Sequence, residues 1–243
     1  MDDGAVDPGD SLDMARILTR FGFKKVHCTP HLIRGGFENA PDRVVAALNF
    51  MQRLVDDAGL DLKLIPGTEH YFDEYLSEMI PGALLVGSTR YLLVEIPFKS
   101  GADLLPTLIG VLGKHRLSPL FAHPERCAAF HPRFKEEGLL GALSSILGKQ
   151  KEFDMKNSLV MELKQSGCRF QGNIGSFAGV YGRVVQQRAV LFLRHGIYSC
   201  LGSDAHTCHG LSEILSGGYD VIVATVGEDE ALRLLRGGDF EKD

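Results

Sequence analysis

Carboxylates and imidazoles fall at a recurring place in this chain, just after short apolar runs. His31 follows VHCTP, Glu69 follows LIPGT, Glu95 closes YLLVE and His123 closes PLFAH, while Asp204 and His206 lie in GSDAH after the run 197–201. Mixed His, Asp and Glu donors suit borderline divalent ions such as manganese, iron or zinc. Carboxylates can also bridge two ions, which then clamp the attacking and leaving oxygens of an ester. No cysteine joins the set, so a closed structural zinc site is disfavoured and an open, catalytic one favoured. Glu95 is the sharpest member, because an ionised carboxylate at the end of a buried apolar run is costly unless paired or metal-bound. Arg126, three residues after His123, and Arg34 are the candidate substrate cations, since a planar guanidinium matches phosphate oxygens with two parallel hydrogen bonds. His206 or His209 is placed to protonate a leaving group. Phosphate-ester hydrolysis is the chemistry these types support. Single members also have bland readings: Asp204 as a helix N-cap, Glu125 as a surface partner of Arg126.

Ligands so far apart can meet only if the elements between them bring the run ends to one edge. Apolar spacing predicts an amphipathic helix through Leu12, Ala15, Leu18 and Phe21, capped at Asp10 or Ser11, and a second over 44–55 after Pro41. Further helices are expected at 104–112, 134–147 and 182–193 and from Ser212 and Gly227. Strands are expected at 25–29, 62–65, 91–96, 119–123, 168–171 and 197–201. Strand and helix alternate roughly six times, which implies an α/β fold with a parallel sheet. In barrels of this kind the C-terminal strand edge carries the active site. His115 and His195 sit at predicted helix C-termini, where an imidazole offsets the helix dipole.

The chain has 243 residues, enough for one large core, and one domain spanning 1–243 is expected, with a polar insertion near 148–158. Lys and Arg total 26 against 31 Asp and Glu, a net charge of -5 without a basic stripe, which argues against a nucleic-acid partner. The apolar runs are too short to span a bilayer and the first residues are acidic, so a cytoplasmic protein without direct membrane insertion is expected. Cys28, Cys127, Cys168, Cys200 and Cys208 form no CxxC pair and point to reduced thiols.

The ordered segments MDDGA, CTPH, PGTEHYF, YLLVEIPF, AHPER, GNIGSFAGVYG and GSDAH carry a resemblance. The chain resembles the manganese-dependent protein-tyrosine phosphatases of capsular and exopolysaccharide biosynthesis, within the polymerase-and-histidinol-phosphatase (PHP) superfamily. That resemblance implies a distorted seven-stranded β/α barrel with two to three metal ions at its mouth. It implies one ion's ligands at Asp3, His31 and His206, and the others' at Glu69, Glu95, His123 and Asp204. Arg126 is implied as the phosphate-binding arginine, the tyrosine-rich tail of a kinase controlling polysaccharide export as the partner, and oligomerisation is compatible with it.

Two departures from the family pattern carry expectations. Members begin with a strand ending in a His-x-His pair about seven residues before the DDG segment. This chain starts at Met1-Asp2-Asp3-Gly4. A barrel whose first strand is missing or incomplete, with a weakened metal position, is therefore expected. After His206 the chain reads Thr207-Cys208-His209-Gly210 where an arginine is frequent, which reduces the expected grip on substrate. Three rival readings follow. One is a non-catalytic barrel that binds a kinase tail, another a hydrolase of a small phosphate monoester. The third is a thiolate phosphatase, because His27 to Arg34 matches the bare pattern HCx5R. That loop has no glycine, and Pro30 offers no N–H to a phosphate cradle.

Overall fold

In the computed structural model, which describes residues 1–131 and 153–240, the described strands fall on six parallel lines. β1 (Lys25–Cys28) runs on into β2 (His31–Leu32), and β3 (Lys63–Pro66) into β4 (Glu69–Tyr71). The interruptions have local causes. Pro30 has no N–H for a ladder, and Gly67 lies so close to β1 that a Cβ there would sit 2.8 Å from Thr29 Cγ2. The pairing continues across the gap through Gly67 N–H to the Cys28 carbonyl (3.0 Å) and Glu69 N–H to the Pro30 carbonyl (3.1 Å). β5 (Tyr91–Glu95), β6 (Ser118–Ala122), β7 (Arg169–Asn173) and β8 (Cys200–Gly202) follow. Spatial order is β2-β4-β5-β6-β7-β8, every pair parallel. Because spatial order equals chain order, the strands wind one way around, as in a β/α barrel. Among the described residues no ladder joins β8 back to β2, so the hydrogen-bonded set is an arc.

The crossovers are helical. α1 (Pro8–Phe21) precedes β1, and α2 (Pro41–Asp57), α3 (Leu76–Met79), α4 (Leu105–Lys114), α5 (Leu159–Gln165), α6 (Ile174–Phe177), α7 (Arg183–Arg194), α8 (Leu211–Val226) and α9 (Glu228–Leu235) follow in turn. The cap of α1 is Asp7 rather than Asp10 or Ser11: its carboxylate accepts from Asp10 N–H at 2.8 Å, and Pro8 takes the first helical position, where no N–H is needed. His115 and His195 are C-caps of α4 and α7, as expected. The helix expected at 134–147 and residues 148–152 of the expected insertion lie outside the described residues. Within the rest of that insertion Met155 is buried and Ser158 caps α5, accepting from Met161 N–H.

Both faces of the sheet are covered, which is why β5 reads as an unbroken apolar run. Leu92, Val94, Phe121 and Phe170 face the helices in one large cluster. Tyr91, Leu93, Leu120 and Ala122 alternate onto the inner face with Val86, Cys200 and Phe240. Phe240 meets Tyr91 edge to face at 5.2 Å between centroids. The same period of two puts Glu95 on the inner face, one step beyond Leu93. No helix among the described residues is long and apolar enough to cross a membrane.

Candidate metal centre

Register determines which strand ends meet. His31 pairs with Glu69 across β2 and β4, and Tyr71 with Glu95 across β4 and β5, while His123 follows β6 one residue past its end. The result is a row of donors at the C-terminal edge. Ligand atoms of His31, Glu69 and Glu95 all lie within 4.8 Å of one another, as do those of Asp3, His31 and His206. His123 Nε2 joins them, 3.3 Å from Glu69 Oε1 and 3.6 Å from Glu95 Oε1. Asp3 Oδ1 stands 3.8 Å from His31 Nε2 and 3.5 Å from His206 Nε2. Asp3 is held in range because its neighbour Asp2 accepts the His31 backbone N–H at 2.9 Å.

These side chains fit a cation better than they fit one another. Glu69 Oε1, His123 Nδ1 and His31 Nδ1 are buried without a hydrogen-bond partner. Glu69 Oε1 is near enough to His123 Nε2 to be attracted by a charged ring, but lacks the alignment of a hydrogen bond. Burial pushes the Glu95 carboxyl up, and the charge of Glu69 adds to that rise against the opposing His123. Burial works against a charged His123, yet the adjacent Glu69 carboxylate and Asp204 outweigh it and the imidazole is raised. His206 behaves likewise: desolvation lowers it, while Asp204, Asp3 and Asp2 raise it. Two carboxylates crowded on one buried imidazole are in conflict without a cation, and a divalent ion between them removes it. His206 Nδ1 lies 2.8 Å from the Asp204 carbonyl, so Nδ1–H donates there and Nε2 keeps its lone pair toward Asp3. His123 and Asp204 both hold left-handed backbone, φ 30° and 48°, a strain that persists where surrounding structure imposes it.

Beside this cluster stands Arg126. Its guanidinium donates to Asp204 Oδ2 at 3.1 Å and lies between two rings, 4.5 Å from the Phe98 centroid and 4.1 Å from that of Tyr181. Asn173, at the end of β7, donates to the same Asp204 oxygen at 2.7 Å and to the Tyr181 hydroxyl at 3.2 Å. Both contacts on Asp204 fall on Oδ2. Asn173 is in turn fixed by Glu125, fully buried, whose Oε1 accepts the Asn173 N–H (3.0 Å) and Oε2 the Tyr198 hydroxyl (2.9 Å). Burial and the Glu125 carboxylate hold the Tyr198 hydroxyl well above its usual range, which keeps it a donor. The backbone carbonyl of Glu125 accepts from Arg188 at 2.5 Å.

The sequence-predicted residues therefore divide. His31, Glu69, Glu95 and His123 converge, and Asp3 and His206 close the row. Asp204 stands at the edge with Arg126. It is not a helix cap, since α8 begins only at Leu211 after Gly210. Glu125 is no surface partner of Arg126 but the centre of a buried network. Arg34 pairs with Glu78 and lies over the Tyr75 ring at 4.3 Å, engaged with neither group of donors. His209 is exposed, its N–H bonded to Thr207 Oγ1. The thiolate-phosphatase reading fails on geometry: the Cys28 backbone belongs to the β1–β3 ladder, and burial pushes its thiol up to about 11. Phe98, Asn173, Tyr181 and Tyr198 were not picked out in the sequence. Asn173 had one available signal, its place at a strand end like the ligands.

Known proteins share the family and the fold of this chain. Residues 1–141 match the family described as capsular polysaccharide synthesis, CpsB/CapC. The chain is similar to tyrosine-protein phosphatase YwqE of Bacillus subtilis (strain 168), 27% identical over 208 residues, covering 85% of this chain and 73% of the relative. A solved structure from work on YwqE from Bacillus subtilis and CpsB from Streptococcus pneumoniae, described as unique metal-dependent tyrosine phosphatases, superposes with a TM-score of 0.75. Its identity is 25%, over 98% of this chain and 91% of that one. With a match across more than half its length, the chain belongs to the CpsB/CapC family of capsular polysaccharide synthesis proteins.

Proposed function

We propose that this chain is a metal-dependent tyrosine phosphatase acting in the cytoplasm as one domain. Its substrate is phosphotyrosine in a partner protein, the tail of a tyrosine kinase that regulates capsular or exopolysaccharide synthesis. The observation that carries the reading is the Arg126 guanidinium beside a row of carboxylates and imidazoles in which Glu69 Oε1 is buried without a hydrogen-bond partner and the His31 and His123 Nε2 atoms face carboxylates. The donor set suits manganese, with iron and zinc next. Asp3, His31 and His206 would hold one ion, and Glu69, Glu95, His123 and Asp204 one or two more. When bound, such ions lower the pKa of water and polarise phosphoryl oxygens.

The chain's own groups do the rest. Arg126 binds the phosphoryl oxygens and neutralises charge that grows as phosphorus is attacked. Asp204 and Tyr181 hold its planar fork in one orientation, which lowers the ordering cost of binding. With Nδ1–H donated to the Asp204 carbonyl and Nε2 kept for the ion, His206 has no proton for the departing phenolate, a leaving group good enough to depart without an acid. Release of inorganic phosphate from a phosphotyrosyl peptide tests the reading. Turnover with added manganese that is abolished by chelator is expected. Absence of turnover by folded, manganese-loaded protein would reject phosphatase activity and favour a module that only binds the kinase tail. Turnover confined to small phosphate monoesters would move the substrate class.

A further inference from the structure

We propose that Phe98 sets a preference for aryl over alkyl phosphate monoesters, its ring forming the wall against which the phenyl ring of the substrate lies. This rests on the reading of Arg126 as the phosphate-binding residue. Phe98 follows β5 at the mouth and is 42% exposed, unusual for a ring in contact with a buried centre. Its backbone is fixed all the same, because its carbonyl accepts the Ala128 N–H at 2.8 Å. The ring touches the guanidinium on one side and lies 5.8 Å from His123, centroid to centroid, so it spans the boundary between phosphate grip and donor row.

Tyr181, on the opposite side of the guanidinium, is tied by its hydroxyl to Asn173 and is half-buried. The two rings therefore divide the work: Tyr181 belongs to the wall that holds Arg126, and Phe98 keeps ring surface for a ligand. A phosphate seated on Arg126 brings its ester substituent to within reach of that surface, where aromatic pairs attract at centroid separations of about 4.5–7 Å. An alkyl substituent makes no such pair. If Phe98 served only to orient Arg126, its loss would weaken every phosphate ligand alike, since all share the phosphoryl group.

The test is calorimetric binding of phenylphosphonate and methylphosphonate to the manganese-loaded full chain, for the wild type, Phe98→Ala and Phe98→Tyr, with phosphotyrosyl-peptide turnover measured alongside. The wild type should bind phenylphosphonate roughly three- to tenfold more tightly than methylphosphonate, the size of effect an aromatic pair gives. Phe98→Ala should lose that ratio while holding methylphosphonate affinity within about twofold, and Phe98→Tyr should keep it. Equal weakening of both ligands by Phe98→Ala, no weakening of either, or a wild type that does not discriminate would each overturn the proposal. Peptide turnover without discrimination would sink the role of Phe98 and leave the phosphatase reading standing. Discrimination without turnover would do the reverse.

Discussion

Replacing Glu125 by alanine should cost this protein more stability than any change at the exposed rim, although Glu125 touches neither substrate nor metal. Its two oxygens serve two buried donors, the Asn173 N–H at 3.0 Å and the Tyr198 hydroxyl at 2.9 Å. Each donor left unpaired costs about 1–3 kcal/mol. The truncated side chain also leaves space in a fully buried position, so a loss of about 3–5 kcal/mol is expected. For a domain of this size that corresponds to a fall in Tm of roughly 6–20 °C. Glu125→Gln keeps the shape and one acceptor but sets an amide N–H₂ against one of the donors, so about half the loss is expected. Thermal and urea unfolding followed by circular dichroism give both numbers. A Glu125→Ala protein melting within about 2 °C of the wild type would refute the network, since that leaves less than the cost of a single orphaned donor.

Arg126→Ala should lower kcat/KM on a phosphotyrosyl peptide by roughly 100-fold or more, the usual loss on removing a charge-stabilising donor. Arg126→Lys should recover only part of it, because an ammonium lacks the fork that Phe98 and Tyr181 flank. A drop under about tenfold for Arg126→Ala would remove its proposed role. Metal affinity should weaken as pH falls. The carboxylates around His123 and His206 raise both imidazoles, so they take protons at a pH above that of an ordinary histidine, about 6.5. Manganese titrations at several pH values that show no such trend would contradict the assignment of these rings as ligands. Cys28→Ser should retain wild-type turnover, because a thiol with its pKa pushed up to about 11 supplies no nucleophile near neutral pH. Loss of activity in a folded Cys28→Ser protein would revive the thiolate mechanism.

The strand lines and the donor row were legible in the sequence because both follow from period and burial. Glu95 was recognisable as the charged end of a run buried on both faces, and the parity that places it beside Glu69 is the same that puts Leu93 inside. Split strands were not legible: the breaks at Pro30 and Gly67 depend on how closely two backbones approach. The support around Arg126 was hidden for a related reason. After β6 the chain turns through His123 in left-handed backbone, which sends Glu125 inward and Arg126 to the mouth, and no periodicity foretells side-chain direction through such a turn. Asn173 and Phe98 do not stand out in the sequence, because an amide and an apolar ring carry no ligand chemistry. Their importance comes from what they touch.

The most direct test of the metal centre is the manganese content of the dialysed protein, measured by elemental analysis for the wild type and for Glu69→Ala, with folding checked in both. Glu69 is the residue that meets His31, Glu95 and His123 together. Bound manganese is expected in the wild type, with a clear loss in the folded variant and a matching loss of phosphotyrosyl-peptide hydrolysis. Equal manganese in the two proteins, or hydrolysis that survives the loss of Glu69, would contradict the claim that this row of strand-end carboxylates and imidazoles is the catalytic metal centre.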